Sequence, residues 1–135
     1  KGSTSSSVYR IRSSGNPQQF VLRVIDNVEW VIEEPDLAEH EAAALEEAQK
    51  TGLCAPHLVA YSSEDAGFGA PVVLMSLVEG AVELLPKDSD GWLTGLAGEL
   101  ALIHRHQARS FRWNYSSWVK WDMLAPPEWS AHVPI

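Results

Sequence analysis

Apolar and polar residues alternate through SVYRIR, residues 7–12, and again through QFVLRVI, residues 19–25. A period of two sends successive side chains to opposite faces of a strand, and both runs are rich in residues that pack well on a pleated surface. Between them lies SSGNPQQ (13–19), where Gly15, Asn16 and Pro17 supply turn conformations. The two runs are therefore expected to form an antiparallel hairpin with a loop of several residues. The period then changes. PDLAEHEAAALEEAQKTG (35–52) predicts a helix: Pro35 and Asp36 suit its start, alanine, leucine and glutamate fill it, Lys50 lies in its last turn and Gly52 suits its C-terminal cap. Pro56 follows, then a third strand, HLVAYS (57–62), a turn, EDAGFGAP (64–71), and a fourth strand, VVLMSL (72–77). The fourth strand is almost continuously apolar, as expected of a strand covered on both faces. Gly80 leads away from it. A second helix is expected over roughly 90–107, with Leu93, Leu96, Ala97, Leu100, Ile103 and His104 on one face. After that the pattern dissolves, and there are no internal repeats.

The order β-β-α-β-β, a link and a helix implies an α+β fold, an antiparallel sheet with one helix packed on it. Within that frame one residue stands out. Arg23 lies inside an apolar strand, a costly place for a charge without a partner. On the first helix Leu37, Glu41, Leu45 and Ala48 share one stripe, with Ala44 beside it. Glu41 is thus an acid on the sheet-facing side, whereas Glu39, Glu46 and Glu47 lie away from it. A bidentate Arg23–Glu41 pair would satisfy both groups. A plain buried salt bridge, or two residues reaching water separately, fits the same spacing.

Composition narrows the function classes. A chain of 135 residues, 45% hydrophobic and 21% charged, is ordinary for one globular domain. No apolar run approaches the roughly 18 residues of a membrane span, so no membrane partner is expected. A single cysteine, Cys54, forbids an internal disulfide and favours a cytoplasmic setting. The net charge of -8 argues against nucleic acid as a partner. The charge is uneven: residues 1–25 carry Lys1, Arg10, Arg12 and Arg23 and no acid, whereas residues 26–50 hold nine of the eighteen acids. A basic, serine-rich start suits a phosphate ligand, and GSTSSS (2–7) offers backbone and hydroxyl donors to an anion. A solvated strand edge after a serine-rich terminus gives the same composition. His104 and His106 are two apart on a helix and diverge, Cys54 and His57 lack further ligands at zinc spacing, and no G-x-S-x-G is present, so metal and hydrolase sites are not expected. Trp113, Trp118, Trp121 and Trp129 crowd the last 25 residues without a clean period. So much aromatic surface needs a packing partner, and the chain reads as a fragment.

VYRIR, FVLRV, HEAAALEEA, TGLCAPHLVAY, APVVLMSLVEG and LAGELALIH, in that order, resemble the N-terminal half of the aminoglycoside phosphotransferase and choline kinase-like family, over about residues 2–106. The resemblance implies a protein-kinase-like N-terminal lobe with its connector over 1–80, and the start of a C-terminal lobe over 81–135. It implies that Gly2, Ser3, Thr4, Ser5 and Ser6 form the phosphate-covering turn, that Arg23 contacts the phosphates of ATP and that Glu41 holds Arg23. The Ser76 carbonyl and Val78 N–H would bind the adenine edge, with Met75 behind it. The family's catalytic loop, H-G-D or H-R-D with an Asn about five residues later, does not appear in residues 107–135, and Asp122 does not match it. No catalytic residue is therefore assigned. The resemblance thus implies the nucleotide-binding portion of an ATP-dependent small-molecule kinase, using ATP or GTP with Mg²⁺, a hydroxyl acceptor, and metal ligands outside this chain. The alternative is a non-catalytic kinase-like module that binds a nucleotide or, through Trp113–Trp129, a protein.

Overall fold

The strands and helices form where the periods change. The computed structural model describes residues 6–12, 14–15 and 17–113. Its elements are β1 (Ser7–Arg12), β2 (Gln19–Val24), α1 (Val28–Glu33), α2 (Leu37–Gln49), β3 (Leu58–Ser62), β4 (Val72–Ser76) and α3 (Ser89–Arg105). The four strands make one antiparallel sheet in the order β1-β2-β4-β3. Each element expected from the sequence is present, its ends shifted by at most three residues. Helix α1 was not expected. Six residues are too few to show a helical period, and the signal for it was local: Asn27 caps its start, accepting from the Trp30 N–H at 3.2 Å.

The central strands carry the core. Ile25 and Val73 are fully buried and pack with Ala38 and Met75 between the sheet and α2. On the opposite face Leu22, Val24 and Val72 are buried beside Ile11, Ala70 and Leu74. Strand β4 thus buries residues of either parity, Val72 on one face and Val73 and Met75 on the other, which is why its sequence is a nearly continuous apolar run, whereas β2 buries Leu22 and Val24 on one face and carries half-buried Val21 and Arg23 on the other. Helix α2 approaches the sheet through its smallest side chains, Ala38 and Ala42, both buried. Ala44, expected beside the sheet-facing stripe, is exposed; the inner face is centred on Ala38, Ala42 and Leu45, about one position away.

Two further segments set the outline. At the β3–β4 turn, the Asp65 carboxylate Oδ1 accepts the N–H groups of Gly67, Phe68 and Gly69 at 2.7, 2.8 and 2.7 Å. Gly67 and Gly69 have φ of 89° and 76°, a region that favours glycine. These donors hold the Asp65 carboxyl below its ordinary value of 3.8, the Gly69 N–H contributing most. Helix α3 starts at an Asp88 cap that accepts from the Gly91 N–H at 2.9 Å. Its apolar face does not meet the sheet: Leu93, Leu96, Leu100 and Ile103 are each about half exposed, at 55, 54, 50 and 49%. Among the described residues no helix is long and apolar enough to cross a membrane.

Candidate functional site

The sheet register decides what surrounds Arg23. Arg23 lies opposite Val8 on β1 and Val73 on β4, and Val21 lies opposite Met75. Val8, Val21, Arg23, Val73 and Met75 therefore share the face on which α2 packs. Val8 is exposed, Val21 half-buried and Met75 buried, so this face passes from open to covered across the sheet.

Arg23 reaches from this face to α2. Its Nη1 donates to Glu41 Oε2 at 2.6 Å, and the two side chains are only 28 and 19% exposed. Its Nε donates to Ser6 Oγ at 2.8 Å. The bidentate pair expected from the sequence is thus replaced by a divided guanidinium, one edge on the helix acid and one on the residue that leads into β1. The physical reason is that Ser6 is itself buried and its hydroxyl needs partners. No buried side-chain polar atom among the described residues is left unsatisfied. Both Ser6, just before β1, and helix α2 are tied to one cation.

The remaining basic and acidic residues are arranged differently. Arg10 and Arg12 both donate to Gln19 Oε1, at 2.5 and 3.1 Å, and Arg10 also approaches Glu79 at 3.7 Å. Glu47, expected to lie away from the sheet-facing side, is half-buried and engaged there: Lys50 Nζ meets its Oε1 at 2.6 Å and His106 Nε2 its Oε2 at 2.7 Å. Its carboxyl is held below the ordinary 4.5, first by the Lys50 hydrogen bond and then by that of His106. Glu39 pairs with Arg112 at 2.7 Å. No cluster of three or more potential metal ligands occurs among the described residues.

Of the residues singled out in the sequence, Ser6, Arg23 and Glu41 are brought together. Gly2, Ser3, Thr4 and Ser5 lie outside the described residues. Met75 lies on the Arg23 face in the buried cluster with Val73. Ser76 ends β4, where its N–H donates to the His57 carbonyl and its hydroxyl accepts the His57 N–H, both at 2.8 Å. The role expected of Ser76 was for its carbonyl, which these two bonds do not use. Val78 follows in the exposed connector. Sequence reasoning passed over Val8 and Val21. Alternation along β2 already puts Val21 on the face of Arg23, but only the register shows that Val8 shares it. Trp113, expected to await a covering surface, already has one: it stacks on His40 and donates to Asp36. Trp118, Trp121 and Trp129 lie outside the described residues.

A four-stranded antiparallel sheet, a helix whose acid grips a strand cation, and a connector leading to a further helix define the N-terminal lobe of a kinase-like α+β protein. The sequence model of the Phosphotransferase enzyme family matches residues 1–130, and the chain belongs to that family. Neither a curated protein nor a solved structure matches the chain.

Proposed function

We propose that this chain is the nucleotide-binding portion of an enzyme that transfers the γ-phosphate of ATP, or GTP, with Mg²⁺ to a hydroxyl of a small molecule. The observation that carries this reading is the Arg23 arrangement: a part-buried cation, oriented by Glu41 of α2 at 2.6 Å and by Ser6, just before β1, at 2.8 Å. A guanidinium held in this way keeps its planar donor array in one orientation and can meet phosphate oxygens without first being ordered. Residues 2–6 cover the phosphates with backbone and hydroxyl donors. Val8 and Val21 offer an apolar floor for a flat base, Met75 lies behind it, and the Ser76 carbonyl and Val78 N–H take its edge.

Phosphoryl transfer is governed by positioning and charge stabilisation. Arg23 serves both by fixing phosphate oxygens, and Glu41 serves by fixing Arg23. The base and the magnesium ligands are not assigned to these 135 residues, because no H-x-D followed by Asn occurs after residue 106. Isothermal titration of Mg·ATP into the wild-type chain and into Arg23→Ala tests the reading. Binding by the first, weakened at least about tenfold in the second, a loss of ~1.4 kcal/mol, is the expected outcome. Equal affinities in two folded proteins, or no binding to the wild type, would overturn it.

A further inference from the structure

Helix α2 is held from two sides, and the second side is unexpected. Its inner face meets the sheet through Ala38 and Ala42, which allow close approach but bury few atoms each. Its outer flank is followed by the chain that leaves α3. His106 ends that helix in an extended conformation, with φ -72° and ψ 132°. The segment from His106 to Trp113 then runs back along α2, from Glu47 near its C-terminus to Asp36 at its N-terminal cap, about 16 Å of helix.

The two ends of this run are anchored. At one end His106 Nε2 meets Glu47 Oε2 at 2.7 Å, both side chains at most 21% exposed. At the other, the Trp113 ring stacks on His40 with centroids 5.1 Å apart and planes 3° from parallel, while its Nε1 donates to Asp36 Oδ2 at 2.9 Å. Phe111 packs against both rings, at 5.6 Å from His40 and 5.4 Å from Trp113. Arg112 lies 4.1 Å above the Trp113 ring and pairs with Glu39. An aromatic stack with a hydrogen-bonding indole contributes more than the exposed Arg112–Glu39 pair.

Glu41 sits between the two anchors, one residue after His40. A hydrogen bond of 2.6 Å is lost when the helix moves by about 1 Å, because such bonds weaken steeply beyond roughly 3.2 Å. Small shifts along or around α2 are the motions that its alanine face resists least and that its outer anchors resist most.

We propose that His106–Trp113 is a strap that holds α2 in the position where Glu41 meets Arg23, with His106 and Trp113 as positioning residues at its ends. The strap couples the segment beyond α3 to the guanidinium of Arg23. Its consequence for nucleotide affinity rests on the function proposed above; the strap itself does not.

The test reads Arg23 directly. In the ¹⁵N-labelled chain the Arg23 Nη1–H that donates to Glu41 Oε2 should exchange slowly with solvent, and Arg23→Lys identifies its resonance. His106→Ala and Trp113→Ala should each speed that exchange at least about tenfold while the thermal transition stays cooperative, and Trp113→Phe, which keeps a ring on His40, should lie closer to wild type. Unchanged exchange in the alanine variants would overturn the strap. His106→Ala alters only the anchor far from Trp113, so it decides the matter even where Trp113→Ala fails to fold. A parallel titration uses Mg·ADP. Faster Arg23 exchange with about fivefold or greater weakening of Mg·ADP supports both readings. Faster exchange in a chain whose wild type binds no Mg·ADP supports the strap and rejects the nucleotide site.

Discussion

Arg23 carries the site because a charged residue inside a strand must be satisfied where it stands. Its spacing from the helix stripe was enough to nominate Glu41, and the structure joins them at 2.6 Å. The role of Ser6 was visible only as part of a serine-rich run. That its hydroxyl takes the second edge of the guanidinium follows from the burial of the chain entering β1. Glu41→Gln keeps the shape but removes the countercharge, so Mg·ATP affinity should fall about three- to tenfold, against at least tenfold for Arg23→Ala, when both are measured by titration calorimetry. A Gln variant that binds as well as wild type would show that the charge of Glu41 is not used. The core makes a separate prediction. Ile25 has no exposed surface, so Ile25→Ala should cost about 2–5 kcal/mol in urea unfolding.

At the scale of elements, periods long enough to repeat were legible and short signals were not. Both hairpin strands, α2, β3, β4 and α3 follow from alternation or from helical spacing. Helix α1 ends before a period can form, and its Asn27 cap is one residue's worth of information. The β3–β4 turn was legible as a turn, but its geometry depends on a single carboxylate accepting three N–H groups. That geometry has a pH signature. The Asp65 carboxyl is depressed in the folded protein, so its contribution is fully present above the ordinary value of 3.8 and is lost as pH falls through the lower folded value. Asp65→Ala should therefore lower the urea midpoint near neutral pH, and the gap to wild type should narrow as pH falls below about 4. A gap of constant size from pH 7 to pH 3 would show that the carboxylate is not the source.

For the whole molecule, binding and transfer should separate. The 135-residue chain carries the Arg23 site but no catalytic-loop motif after residue 106, so it should bind Mg·ATP and show no phosphoryl transfer to small hydroxyl compounds in a coupled ADP assay. Turnover above a no-enzyme control, abolished by Arg23→Ala, would place the catalytic groups within this chain. The stripe expected to be the buried face of α3 is half exposed, because amphipathic spacing states which side seeks cover and not what provides it.

The sequence by itself determined the α+β order, the strand and helix periods, the Arg23–Glu41 candidacy and the family, because each is written in local spacing or in short ordered motifs. Only the tertiary structure decided that Val8 shares Arg23's face, that Ser6 divides the guanidinium with Glu41, and that His106 and Trp113 grip the outer flank of α2. Those pairings join residues 17, 59 and 77 positions apart in the chain. Periodicity does not reach across such distances; register, burial and the closing of the chain on itself do.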